Sequence, residues 1–266
     1  MKMLHDNVAP SLSAFTRAIP KRDRQVWDVP GHIPSSPYKI RIVRTQEQLD
    51  NVVAVRCQAY SERLQALASK VQQPGPLDFT HDPIVLIAEN SLTGEAVGTL
   101  RVNTGPQILD LLQDVQLPDD LTQHRVAFVS RMAVIGDVHD RPLVRNLLQK
   151  AVFQLSVAKQ LSRILLLAVH PRERLFYRCG FRNVFSDGAP RFPKFLDYFP
   201  VKALYADTYA LEREWKEEKH PLYDFLFRTF HPEIEVFSSV SSVTQRSNEP
   251  TRSGDRAQSS ETFVVN

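Results

Sequence analysis

Cysteine is nearly absent from this chain, with Cys57 and Cys179 the two among 266 residues. They fall in different predicted elements without metal-ligand spacing, which excludes a disulfide framework and leaves both thiols expected to be reduced. A nucleophilic role for either needs a paired base, and the sequence places none beside them. His124, His139, His170, His220 and His231 have neither i, i+4 nor clustered spacing, and no HExxH or paired CxxC motif accompanies them, so they read as surface or capping residues and no metal is expected. Long apolar runs are missing as well. The start, MKMLHDNVAPSLSAF, has no apolar signal-peptide core, and no stretch reaches the roughly 18 residues needed to span a bilayer, so a cytoplasmic location without a membrane segment is expected. Charge of one sign is scarce. A formal net charge of +3 is too small for nucleic-acid binding through bulk electrostatics, so any basic site is a local patch. The absence of a GxSxG elbow, a Walker loop and a dinucleotide fingerprint removes the hydrolase, NTPase and Rossmann readings.

What remains is a globular composition, 42% hydrophobic and 24% charged, enough to bury one large core. Residues 1–36 hold Pro10, Pro20, Pro30 and Pro34 and read as a Pro-rich arm that Trp27 can anchor. Residues 237–266 are rich in Ser and Thr and poor in large apolar side chains, the composition of a disordered tail. The folded domain is therefore placed at 37–236, with no internal repeat. Within it, Tyr38–Arg44 alternates as a first strand, and a helix follows over 47–67 with Leu49, Val52, Val53, Arg56, Tyr60 and Leu64 near one face. Strands 84–89 and 95–103 form a hairpin around Thr93-Gly94. A short helix is expected over 107–115, a last strand over 201–205 and a terminal helix over 209–230. The fold class is α+β, a mixed and mostly antiparallel sheet with helices on its faces.

The stretch 126–181 is the most informative. VAFVSRMAV reads as a strand, and after a loop at Gly136–Asp140 a helix carries Leu143, Leu147, Leu148, Ala151, Val152, Leu155 and Ala158 at helical spacing. RILLLAV (163–169) is a continuous apolar run, the pattern of a strand buried on both faces. His170 and Pro171 end it, and a short helix closes in YRCGF. This succession resembles the second half of the GNAT N-acyltransferase fold over roughly residues 38–206. The resemblance implies that strand 126–134 splays from its neighbour and that an acyl thioester lies in the gap. It implies an oxyanion donor on the backbone of Met132, Ala133 and Val134, and Tyr177 as the acid for the leaving thiolate, against the plainer reading of Tyr177 as a core aromatic. The family more often has YxxxGF, which puts Phe176 at the matching position.

GNAT enzymes usually carry a Gly-rich loop before the central helix for the coenzyme A diphosphate. Here Pro142, Leu143 and Val144 stand there, which favours phosphopantetheine on an acyl carrier protein. Arg141, Arg145 and Lys159 share one side of an ideal wheel and are candidates for docking that acidic carrier, or are solvated helix charges.

Arg56 and Tyr60, then Asp78 and Asp82, then Arg101 in VGTLRVN and Arg131 in FVSRMAV resemble acyl-homoserine-lactone synthases and the related N-acyl amino acid synthases. The lactone synthases have a catalytic Glu two residues before the Ser-Arg pair. Phe128 occupies that position here, which disfavours a homoserine-lactone product. Alternation sends Arg131 to the side of Val129, Ala133 and Ile135, where it needs a carboxylate: Asp78, Asp82 or that of an amino-acid acceptor. A structural ion pair is the other reading for Arg131 and Arg101. Glu89 and Asp82 are the available bases. Phe195, Leu196, Tyr198 and Phe199 are candidates for the wall of an acyl pocket or for aromatic core. The leading expectation is an N-acyltransferase that takes an acyl chain from a carrier-protein or coenzyme A thioester, without a permanently bound cofactor, to the amine of an amino acid. An acetyl-coenzyme A-dependent acetyltransferase and a catalytically silent acyl-binding module stay open beside it.

Overall fold

The computed structural model describes residues 36–237; apart from Ser36 and Phe237, the arm and tail expected from composition lie outside them, as does Trp27. Among the described residues the strands are β1 (Tyr38–Ile42), β2 (Pro83–Asn90), β3 (Ala96–Asn103), β4 (Val126–Val134), β5 (Arg163–Ala168), β6 (Arg182–Asn183), β7 (Lys202–Asp207) and β8 (Ile234–Glu235). They form one sheet in the order β6-β7-β5-β4-β3-β2-β1-β8. β4 with β5 and β1 with β8 pair in parallel, and the other neighbours are antiparallel. The helices are α1 (Gln46–Arg63), α2 (Gln65–Ala68), α3 (Asp119–Thr122), α4 (Arg141–Ala158), α5 (Glu173–Tyr177) and α6 (Leu211–Glu217). The short strands β6 and β8 are too brief to leave a periodic signal in sequence.

Helices cover both faces because the strands alternate. On β2, Val85 and Ile87 pack with Leu49 and Val52 of α1, while Leu86 and Ala88 pack with Val144, Leu147 and Leu148 of α4. α1 starts at a capping box, in which Thr45 Oγ1 accepts from the Gln48 N–H at 3.2 Å and Gln48 Oε1 accepts from the Thr45 N–H at 3.3 Å. α4 has Pro in its first turn, where the missing N–H costs nothing. It lies close on β3: a Cβ on Gly98 would sit 2.7 Å from Val144 Cγ1.

Three expected helices differ. The first breaks at Leu64, where φ is −145°, and resumes as α2. The segment Pro106–Val115 is a 3-10 helix. The terminal helix expected over 209–230 stops with α6 at Glu217, passes through Lys219 at φ 51° and continues as a π turn over Asp224–Arg228. Pro221 explains the interruption, since it has no N–H to donate and disfavours the helical region for His220. The chain then folds back so that Phe227 meets Trp215 edge-on at 5.6 Å, and Lys150 of α4 donates to the Phe225 carbonyl at 2.6 Å and to that of Thr229. Pro171 precedes α5, in a turn closed by the Arg172 N–H on the Val169 carbonyl at 2.7 Å.

Candidate active site

β4 and β5 stay in register only from Val126 opposite Arg163 to Val129 opposite Leu166. Beyond that, β4 follows β3 to Val134 and β5 follows β7 to Ala168. The expected splay is present, and among the described residues it leaves the β5-facing edge of β4 without a strand partner from Ser130 onward. A cleft of about 350 Å³ occupies the gap, reached by α1 and α2 on one face of the sheet and by α4 and α5 on the other. A smaller apolar pocket of about 50 Å³ adjoins it, sharing Val129, Met132, Leu166 and Phe176 and ending against Cys179, Trp215 and Leu226.

At the cleft β4 carries a bulge. Arg101 opposes Ser130 and Thr99 opposes Ala133, so Leu100 faces both Arg131 and Met132. Arg131 takes φ 55°, the left-handed region, in mid-strand. Such a conformation costs on the order of 1–3 kcal/mol and clusters at functional sites. The extra residue reverses the alternation: Ala127 and Val129 pack on the α4 face, whereas past the bulge Val134 does so and Ala133 and Ile135 pack with α1. The expectation that Arg131 shares the side of Val129 is therefore corrected. Its guanidinium lies on the α1 face, 6.0 Å from the centre of the Tyr60 ring.

Beneath this face is a buried charge group. Asp78 Oδ2 accepts from Arg56 Nη1 at 2.9 Å and from the Gly75 N–H at 2.9 Å, and Asp78 Oδ1 stands 3.2 Å from Arg101 Nη1. Arg101 Nε donates to Ser130 Oγ at 3.0 Å. Burial alone raises the Asp78 carboxyl, but the Arg56 hydrogen bond and charge, the Arg101 charge and the Gly75 N–H outweigh it and hold the group below the usual carboxylate range. Arg101 is pulled down to about 10 by burial, with Asp78 opposing and the charges of Arg56 and Arg131 adding. Around the group, Arg63 Nη1 donates to the Val134 carbonyl at 3.0 Å, and burial lowers the pKa of Arg172. Arg63, Arg101, Arg131, Arg145 and Arg172 line the cleft, and none of the lining residues is an Asp or a Glu.

On the α4 face, Arg145 lines the cleft with its Nε buried and without a hydrogen-bond partner among the described residues, and burial lowers its pKa. Arg141 Nε donates to the Gly136 carbonyl at 2.9 Å. Lys159 is the C-cap of α4, about 21 Å along the axis from Arg145 at 1.5 Å per residue, so the three cations that share a wheel position do not form one patch. The N-terminus of α4 offers little to a diphosphate: Asp137 and Asp140 precede it, Asp140 Oδ2 accepts from the Tyr38 hydroxyl at 2.8 Å, and Pro142 removes an N–H.

The structure brings together Arg101, Arg131, Met132 and Arg145 of the expected site residues. Ala133 and Val134 continue the bulged strand as buried side chains. Arg56 is buried behind the cleft and reaches it only through Asp78. Asp82 is exposed, with its carbonyl bound by Thr104, so the carboxylate under the site is Asp78. Glu89 pairs with Arg41 at 3.3 Å, away from the cleft. Of the aromatic run, Phe195 and Leu196 line the cleft, Phe199 packs with Tyr60 and Ala133, and Tyr198 is exposed. The Tyr177 hydroxyl donates to Asn183 Oδ1 at 2.7 Å, and the lining aromatic of α5 is Phe176, the position that the YxxxGF pattern picks out. Arg63, Ser130 and Arg172 were not anticipated; Ser130 alone had a signal, as the residue opposite Arg101 on the neighbouring strand.

No family model and no curated protein matches this chain. Similar solved structures include FeeM, an N-acyl amino acid synthase from uncultured soil microbes, at 13% identity over 71% of this chain and 96% of that one, with a TM-score of 0.48. BjaI, a coenzyme A-dependent acyl-homoserine lactone synthase solved with SAM and isopentyl-CoA, is 17% identical over 69% of this chain and 90% of its own, with a TM-score of 0.48. An acyl-CoA N-acyltransferase from Pseudomonas aeruginosa is 15% identical over 63% of this chain and 97% of its own, with a TM-score of 0.43.

Proposed function

We propose that this chain is an N-acyltransferase that moves an acyl group from a phosphopantetheine thioester to the amine of an amino acid. The observation that carries the reading is the parting of β4 from β5 at a bulged, left-handed Arg131. An unpartnered strand edge suits a pantetheine arm, whose amides take the hydrogen bonds of a missing strand. The bulge sets Arg131 and Met132 together opposite Leu100, out of the regular ladder, while Ala133 and Val134 return to register with Thr99 and Gly98. The N–H groups of the Met132 to Val134 stretch that face the gap are assigned to the oxyanion. The first carbons of the acyl tail are assigned to the apolar pocket of about 50 Å³ that ends at Trp215 and Leu226. In the reaction the neutral amine attacks the thioester carbon, the C–N bond forms and the C–S bond breaks. One ammonium proton is released to solvent before attack, and the proton that the nitrogen sheds as the amide forms ends on the departing thiol. Ser130, whose oxygen accepts from Arg101 Nε, keeps its own proton free to donate.

A carrier protein is the donor this reading favours, because the N-terminus of α4 carries Asp137, Asp140 and Pro142 where a coenzyme A diphosphate needs N–H groups and positive potential. Arg145, beside the gap on that face, is assigned to the pantetheine phosphate. The test is incubation of the protein with palmitoyl-acyl carrier protein or acetyl-coenzyme A and pooled amino acids, read by mass spectrometry. An N-acyl amino acid from the carrier-protein donor is expected. Acetylation from coenzyme A alone would replace this donor, and no product from either would leave the silent acyl-binding reading.

A further inference from the structure

The α1 face of the cleft holds more positive charge than its own carboxylates neutralise. Arg63, Arg101, Arg131 and Arg172 line it, with Arg56 directly behind. Two carboxylates serve these five guanidiniums. Asp78 is shared between Arg56 and Arg101, and Glu62, at the half-exposed rim, stands 3.5 Å from Arg63 and 3.9 Å from Arg141. Arg131 and Arg172 have no ion pair with a described residue; Arg131 stands 6.0 Å from the centre of the Tyr60 ring, and Arg172 lines the same cleft. Like charges gathered in a partly dehydrated cleft repel, and a bound anion relieves that repulsion. The donor phosphate does not do so, because the proposed reading seats it beside Arg145 on the opposite face of the sheet.

We propose that the acceptor is an amine carrying two anionic groups, held by the Arg131 and Arg172 guanidiniums on the α1 face of the cleft. This rests on the acyltransferase reading and narrows its acceptor. A neutral-side-chain amino acid brings one carboxylate to two unpaired guanidiniums, whereas a dicarboxylic or a phosphorylated amino acid brings a partner to each. Guanidinium forks bind carboxylate and phosphate alike, in bidentate fashion.

The experiment uses the full chain with palmitoyl-acyl carrier protein at saturation and compares aspartic acid, glutamic acid, O-phosphoserine, alanine and leucine as acceptors. The expected result is a kcat/KM at least tenfold higher for a dianionic amine than for alanine or leucine, the first two acceptors against the third telling carboxylate from phosphate. Arg172→Gln should erase most of that preference by raising KM for the dianionic acceptor, while Arg172→Lys retains part of it. Equal or better use of alanine or leucine would overturn the inference and leave the acyltransferase reading standing. Thermal stabilisation by the dianionic amines without product from any donor would instead remove the acyltransferase reading and keep the ligand class. If these amines neither stabilise the protein nor react, the inference fails.

Discussion

Replacing Asp78 by asparagine removes the carboxylate that Arg56 and Arg101 share and leaves two buried guanidiniums repelling each other. Breaking a buried ion pair from one side costs about 3–5 kcal/mol, so Asp78→Asn should lower the unfolding free energy by that order in denaturant titration. The pH dependence has a definite sign. The folded-state pKa of Asp78 lies below its unfolded value, near 3.9 for a free Asp. Its stabilisation is therefore complete above that unfolded value and is lost as pH falls through the folded one. The wild-type chain should lose stability on that acid limb, and Asp78→Asn should flatten it; an unchanged limb would show that other carboxylates govern acid unfolding. Tyr177 is tested by the opposite expectation. Its hydroxyl is engaged by Asn183 and lies outside the cleft lining, so Tyr177→Phe should keep kcat within about threefold, whereas loss of a general acid costs on the order of 10²–10⁴-fold. A decline of that size would put the phenol in the proton transfer and require α5 to turn in the bound state.

α4 and β3 approach each other through Gly98, where an added methyl would meet Val144 Cγ1 at 2.7 Å and Leu148 Cδ1 at 3.3 Å. Overpacking of this kind costs about 1–3 kcal/mol. Gly98→Ala should lower the melting temperature accordingly, and adding Val144→Ala should return part of the loss in a double-mutant cycle. Additive losses would mean that the helix shifts as a body. The same pair of elements shows what the sequence made legible. The helix face of α4, the alternation of β2 and β3 and the apolar run of β5 are periodic, so composition and order alone foretold a mixed sheet with helices on both faces. The bulge is not periodic. Nothing in VAFVSRMAV distinguishes a bulged strand from a regular one, and the misplaced side of Arg131 follows from that single extra residue. Asp78 and Asp82 are chemically equivalent in sequence; the choice falls to Asp78 because the Gly75-Pro76 turn folds its carboxylate back onto the Gly75 N–H and under Arg56. Pro221 did carry a visible signal for the break after α6, since the helix cannot run through it unbroken.

For the molecule as a whole, the sheet is a partition with a slot. The donor phosphate is assigned to the α4 face and the anionic acceptor to the α1 face, so both substrates reach the thioester carbon through the gap between β4 and β5 without displacing each other. A covalent acyl-enzyme has no evident nucleophile on this route. Cys57 donates to the Val71 carbonyl at 3.3 Å, and burial, only partly offset by the Gln149 contact and the Arg145 and Arg178 charges, raises the pKa of Cys179. Neither cysteine lines the cleft, and Ser130 has no His, Asp or Glu beside it among the lining residues to act as its base. Direct attack within a ternary complex follows. Initial velocities measured with donor and acceptor varied together should give intersecting double-reciprocal lines. The Cys57→Ala/Cys179→Ala double variant should retain kcat within about threefold, well short of the 10²-fold loss expected of a lost catalytic group, with any effect of Cys179 at the end of the acyl pocket falling on KM for the donor. Parallel lines, together with a protein mass increased by one acyl group after donor alone, would show a covalent intermediate. In that case the donor would have to leave before the acceptor enters, and the two faces of the slot would serve successive rather than simultaneous occupants.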